Sequence, residues 1–234
     1  MVLEGRLTYQ GDGMSISTRA MNATTTLMNI HTDNIAHFGL PGYQRRTPVV
    51  TSFIEYLGAN AVDKAVDTQV GRIRKSGNPL DVALFTQGYF QKRLPSGAVE
   101  LTRDGRMRLD KDGFLLSLDG RPVLGANGAP IRFPLIPANP ERDILINGSG
   151  DIRVYDEAST KTLDVGRLGV VQQDGSALSA IDVRQGHVED SNVMLQNEFV
   201  SLLPLRRQFE ANRQLFIMQS DTLSRTIQEL GRPS

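Results

Sequence analysis

Both ends of this chain carry heptad ladders, whereas its middle is a run of short β-type segments broken by glycine turns. Near the start, Ile16, Ala20, Ala23, Leu27, Ile30 and Asn34 recur at alternating steps of four and three. Near the end, Leu195, Phe199, Leu202, Phe209, Phe216, Leu223, Ile227 and Leu230 fall on a ladder of the same kind. A heptad seam lays its apolar residues along one narrow helical stripe, and such a stripe needs another helix to cover it. Two stripes, one per terminus, predict ends that pair with each other, with copies of themselves, or both.

The pattern predicts a first helix over 15–37, although Thr24, Thr25 and Thr26 in its middle are poor helix formers. Phe38-Gly39-Leu40-Pro41-Gly42 stops it. The last helix is predicted over 191–231, ahead of Pro233. Pro204 lies inside it and predicts a kink or a second helical start. Arg206, Arg213 and Ser220 also fall on its seam, so a free-standing coiled coil is not expected. Residues 43–77 read as an extended connector with a weakly apolar stretch at 53–57.

In the middle, Gly97, Gly105, Gly113, Gly120 and Gly128 follow one another at intervals of seven or eight, each behind Ser, Asp or Asn. Such pairs supply the positive φ of tight hairpins. Strand-like segments lie at 99–102, 107–109, 114–118 and 122–124, and more loosely at 144–146, 152–155 and 168–171. Pro130, Pro134, Pro137 and Pro140 mark an irregular stretch between the two groups. The expected fold class is mixed α+β: an antiparallel all-β central domain, a sandwich or small barrel of hairpins, flanked by N- and C-terminal heptad helices. The expected divisions are 1–45 helical, 46–76 connector, 77–184 β-rich, and 185–234 helical and paired with the first segment.

Composition narrows the function. The 234 residues carry 26 basic and 26 acidic side chains, which gives no electrostatic reason to expect nucleic acid or an anionic membrane. No apolar run approaches the ~20 residues of a membrane span, so membrane insertion is not expected. The opening residues lack the apolar stretch of a cleaved signal peptide. Cysteine is absent, which excludes disulfides and thiolate chemistry. His31 and His37 are six apart, off a shared helix face, and His187 is the only other histidine. Asp110, Asp112 and Gly113 lack the remaining ligands of a calcium loop and read as a turn. Gly148-Ser149-Gly150 lacks the third glycine and the helix of a dinucleotide site, and no Gly-x-Ser-x-Gly elbow occurs. Neither a catalytic set nor a cofactor is called for. The chain is expected to be structural, against two rivals: an enzyme acting on cell-wall glycan, and a monomeric β-domain binding module.

The motifs themselves resemble the rod and hook proteins of the bacterial flagellar axis. Asn34, Ile35, Ala36, Gly42 and Tyr43 match the family's opening signature, with His37 in place of an Asn and Leu40 in place of a Thr. The piece GNPLDVAL, with Gly77, Asn78, Leu80 and Asp81, is similar to its core motifs, as are QGYF, TRDGRM and KDGFLL. Gly186, Glu189, Ser191, Asn192, Val193, Arg207, Glu210 and Asn212 match its C-terminal signature. The resemblance implies a chain exported unfolded through the flagellar channel, which polymerises into the periplasm-spanning rod. The implied partners are its own copies, other rod and hook axial proteins, and the export apparatus. Within the family it is most similar to a proximal-rod paralogue, in preference to the distal one. The opening residues extend beyond the usual family start, with Met14 as an alternative initiator.

Overall fold

In the computed structural model, residues 13–50, 62–134, 143–157, 160–178 and 180–230 are described. The stretch at 53–57, Pro137, Pro140, Pro233 and the residues before Gly13 lie outside them. The elements are α1 (Gly13–His37), β1 (Arg46–Val50), β2 (Val62–Val66), β3 (Ile73–Lys75), β4 (Val82–Leu84), β5 (Tyr89–Arg93), β6 (Val99–Thr102) and β7 (Met107–Leu109). There follow β8 (Leu115–Ser117), β9 (Ile144–Ile146), β10 (Asp151–Asp156), β11 (Lys161–Arg167), β12 (Val170–Val171), β13 (Val183–Gln185), β14 (His187–Glu189) and α2 (Leu195–Leu230). The fold is mixed α+β, with an antiparallel β-rich middle between two terminal helices.

Contacts divide the chain into two compact units. One holds residues up to Ala36, Arg46–Val66 and the chain from Met194; the other holds His37–Arg45 and Asp67–Val193. In the first unit, the segment read as a connector supplies an antiparallel β1–β2 ladder, from Arg46 opposite Val66 to Val50 opposite Val62.

The second unit is built from small antiparallel sheets: β11-β10-β9, β12-β5-β6, β13-β4, β14-β3 and β7-β8. Local hairpins account for β5–β6, β7–β8 and β10–β11, but β3 and β4 take their partners from about a hundred residues downstream. Leu84, Phe90, Leu115, Ile144, Ile152 and Leu168 are among the apolar side chains buried in its core. Gly97, Gly113, Gly120 and Gly128 have positive φ, as their turns require. Gly105 does not belong with them. A Cβ there would lie 1.7 Å from the Val82 carbonyl oxygen, so this glycine permits a close backbone approach rather than a turn. Its carbonyl accepts the Val82 N–H at 2.9 Å.

The helices accommodate their awkward residues locally. Thr24, Thr25 and Thr26 each return their hydroxyl to the carbonyl four residues back, which satisfies the side chain inside a helix. The helix α2 runs as one element across Pro204, so the alternative of a second helical start there does not hold. The proline denies a backbone donor to the Val200 carbonyl, and both residues lie on the exposed side of the helix.

Candidate functional site

Within the first unit, α1 and α2 run antiparallel. At one end His31 Nδ1 and Asn34 Nδ2 both bond Glu198 Oε2, at 2.6 and 3.1 Å. At the other, a Cβ added to Gly13 would meet the Gln219 side chain at 2.3 Å. Gly13 to Asn34 and Glu198 to Gln219 are equal steps of 21 residues, so one register holds between the two anchor points. The covered stripe of α1 is Ser17, Ala20, Thr24, Leu27, His31 and Asn34, and that of α2 is Leu195, Glu198, Leu202, Leu205, Phe209, Asn212, Phe216 and Gln219. Both keep the alternation of three and four. Four of the six α1 positions and three of the eight on α2 are polar.

The ladders read from apolar residues overlap these stripes without coinciding. Ile30 and Asn34 are fully buried. Ala20, Ala23, Leu27, Leu195, Leu202, Phe209 and Phe216 are half-buried. Ile16 is 57% exposed while its neighbour Ser17 is buried. Phe199, Leu223, Ile227 and Leu230 are exposed, the last at 82%. The stretch 220–230 lies beyond the level of Gly13, and Thr222, Leu223 and Thr226 at its start still line an open pocket with Gly13 and Met14. Glu198, which no apolar ladder could include, is 0% exposed.

Asn34 is held from two sides. Its Oδ1 accepts the Arg46 N–H at 2.9 Å and its Nδ2 donates to the Arg46 carbonyl at 2.8 Å, so the amide imitates one rung of a β-ladder. That ties the end of α1 to the start of β1. Ile35 is half-buried and Ala36 exposed. On α2, Arg207 and Glu210 are exposed, Glu210 taking an ion pair from Arg206 at 3.1 Å, and Asn212 lies on the covered stripe.

The second unit brings motif residues from three distant parts of the chain together. The buried guanidinium of Arg103 pairs with the buried carboxylate of Glu189, with Nη2 to Oε2 at 2.7 Å and Nε to both oxygens. Its remaining hydrogens go to the carbonyls of Leu84, Thr86 and Gly88. Glu189 Oε1 also accepts the Gly71 N–H, and the Glu189 carbonyl accepts that of Gly42 at 2.8 Å. Gly42 has φ +71°, and a Cβ there would lie 2.3 Å from the Asp104 nitrogen, so the position admits only glycine. Asn192 accepts the Arg45 N–H at 2.6 Å and donates to the carbonyls of Asp67 and Gln69. Tyr43 stacks on His37, with ring centroids 5.0 Å apart. Ser191 accepts the N–H of buried Val193. Asn78 closes a turn onto Leu80 and Asp81, beside Gly77 at φ +85°. The Asp81 carbonyl takes the Gly186 N–H at 2.7 Å. These residues act on the chain itself: each side chain closes a gap between backbone segments.

The comparisons follow the same segments. Residues 83–176 match the model of the flagellar hook protein FlgE/F/G D1 domain, and 184–229 match that of the flagellar basal body rod FlgEFG protein C-terminal region. The chain belongs to the flagellar basal-body rod protein family. It is 27% identical over 242 residues to the flagellar basal-body rod protein FlgF of Mesorhizobium japonicum, covering 95% of this chain and 99% of that one. It is likewise 27% identical to FlgF of Rhizobium meliloti, over 94% and 98% of the two chains. To the rod protein FlgG of Buchnera aphidicola subsp. Schizaphis graminum it is 24% identical, over 92% and 98%.

The hydrogen bonds of these clusters brace neighbouring backbone segments. Asp110, weighed as a calcium ligand, spends one carboxylate oxygen on the N–H groups of Asp112 and Phe114, as a turn residue does. Among the described residues no group of His, Asp and Glu is placed to hold a metal ion. Sequence reading missed Glu198, Ser17, Thr24 and Arg103. The first three were invisible because the ladder was sought among apolar residues. Arg103 stood within the TRDGRM motif, but nothing local announced that its charge would be buried.

Proposed function

We propose that the chain is a structural subunit of the flagellar basal-body rod, acting through repeated contacts between subunits rather than through chemistry. The observation that carries this reading is the exposed apolar surface of α2 within a rod-family chain. Phe199, Val200, Leu203, Leu215, Ile217 and Met218 are exposed on the side turned away from α1, and Leu223, Ile227 and Leu230 are exposed where the α1-facing stripe runs on past Gly13. Burying one such side chain stabilises by roughly 1.5–3 kcal/mol, and water offers no equivalent. A monomer leaves that gain unused; a polymer collects it at every joint. In this reading the partners are copies of the chain, other rod and hook axial proteins and, on the way out, the export apparatus. The ladder residues, with Asn34 as a register-fixing amide, are the assembly positions.

The proximal rod is preferred to the distal rod, supported by end-to-end coverage of the FlgF relatives at the highest identities above. The working divisions are helical ends around a β-rich middle near 77–184. Isolation of basal bodies carrying the tagged chain tests the proposal: it should co-purify in fixed stoichiometry with the other rod proteins. A large excess over them would favour the distal layer. Absence from the basal body, or peptidoglycan hydrolysis abolished by one Asp or Glu substitution in the β-rich middle, would overturn the structural reading.

A further inference from the structure

Half of the positions on the helix pair's covered seam are polar. That seam carries Ser17, Thr24, His31 and Asn34 against Glu198, Asn212 and Gln219, while the free side of α2 is studded with Phe, Leu, Ile and Met. Apolar side chains attract one another in any register, so an apolar seam would let α2 slide along α1 or take another helix instead. A buried carboxylate has no such tolerance, because it must find donors wherever it is placed.

We infer that Glu198 is the residue that specifies the orientation and register of the α1–α2 pair. It sits at 0% exposure and is met by two donors three residues apart on one face of α1, His31 and Asn34. Moved one heptad toward the start of α1, the carboxylate would face Thr24 and Leu27. Leu27 offers no donor, and the Thr24 hydroxyl is already committed to the Ala20 carbonyl. Moved the other way, it would run past the end of α1 at His37. Asn34 anchors the arrangement, because its amide is bound to both backbone groups of Arg46 and cannot follow a sliding helix. Glu198 is thus a positioning residue. It makes one pairing acceptable and leaves the apolar side of α2 free for other contacts. This inference concerns the isolated chain and stands independently of any assembly.

The chain has no cysteine, so spin labels at Asn22→Cys and Glu210→Cys report the pairing cleanly. Double electron–electron resonance on the full chain should give one narrow distance. With His31→Leu and Glu198→Leu added, helix content and unfolding midpoint should hold or rise. The distance should broaden or split, because each alternative register displaces the labels by about 10 Å along the helix axes, the length of one heptad. With Glu198→Gln, whose oxygen still accepts from both donors, the single distance should persist. An unchanged narrow distance in the leucine variant overturns the inference. So does loss of helix or a lowered midpoint there, which would make the cluster a source of stability instead. Broadening in Glu198→Gln overturns the hydrogen-bonding basis of the inference.

Discussion

The two units solve the burial problem in opposite ways. The β-rich unit hides its apolar side chains in a continuous core and lets one charge pair, Arg103 with Glu189, into the interior under full hydrogen bonding. The helical unit covers a half-polar stripe and leaves large apolar residues in water. One unit is finished within a single chain and the other is not. Stability should therefore be set by the β-rich unit, while the helical unit tolerates substitution until the chain meets its partners.

The largest effect should come from opening the buried pair. Glu189→Ala leaves a buried guanidinium without its counter-charge and the Gly71 N–H without its acceptor. Breaking such a pair costs about 3–5 kcal/mol. Chemical denaturation should show that loss, and adding Arg103→Met should recover only part of it, since three backbone carbonyls lose their donors too. A cost below about 1 kcal/mol for Glu189→Ala would mean that the pair is not shielded from water.

Gly105→Ala should follow. The new methyl would occupy the place of the Val82 carbonyl oxygen and press on the Phe90 ring, so β4 must move. Overpacking of this kind costs about 1–3 kcal/mol. Gly97→Ala, with open space around it, should pay only for its positive φ; equal losses at both sites would show that Gly105 is an ordinary turn glycine after all.

How far these properties could be read in the sequence depends on whether their cause was local. Hairpin strands 107–109 and 144–146 were legible to the residue, because a turn and an alternating pattern lie beside each other. Strands β3 and β4 were not, since their partners β14 and β13 lie about a hundred residues away. Gly42 and Glu189 were picked out by resemblance, but only the structure joins them through a backbone hydrogen bond. The helix ends were legible to within a few residues, whereas the covered faces were not. A search for apolar repeats selects Ile16 and Phe199, while the fold buries Ser17 and Glu198 next to them.

In the helical unit the same logic predicts a mismatch between stability and function. Leu223→Ser and Ile227→Ser alter exposed residues, each worth no more than about 0.5 kcal/mol to the free chain. Thermal unfolding should barely register them, yet assembly into basal bodies should fail. Hydrogen exchange on a demonstrated monomer should agree, with amides of α2 beyond Gln219 exchanging far faster than those of β4 and β5. Slow exchange through Leu230 would mean that the helix is fully supported within one chain, and the monomeric binding module would gain ground.

The smallest effect belongs to the exposed edge of the β-rich unit. There Arg167 Nε lies 2.5 Å from Asp151 Oδ1, and Asn147 donates a second bond to the same carboxylate. Arg167 foremost, with Asn147, holds the Asp151 carboxyl below its ordinary value, against a minor desolvation penalty. A carboxyl depressed in the folded state contributes stability above its unfolded pKa of about 3.9 and loses it as pH falls through the folded value. Wild type should therefore exceed Asp151→Asn slightly at neutral pH, with the gap closing below about pH 4 and narrowing in high salt. Because the pair is solvated, the gap should be far smaller than that of Glu189→Ala across the same pH series. A gap indifferent to both acid and salt would assign the Asp151 contribution to its turn geometry with Asn147 instead of to its charge.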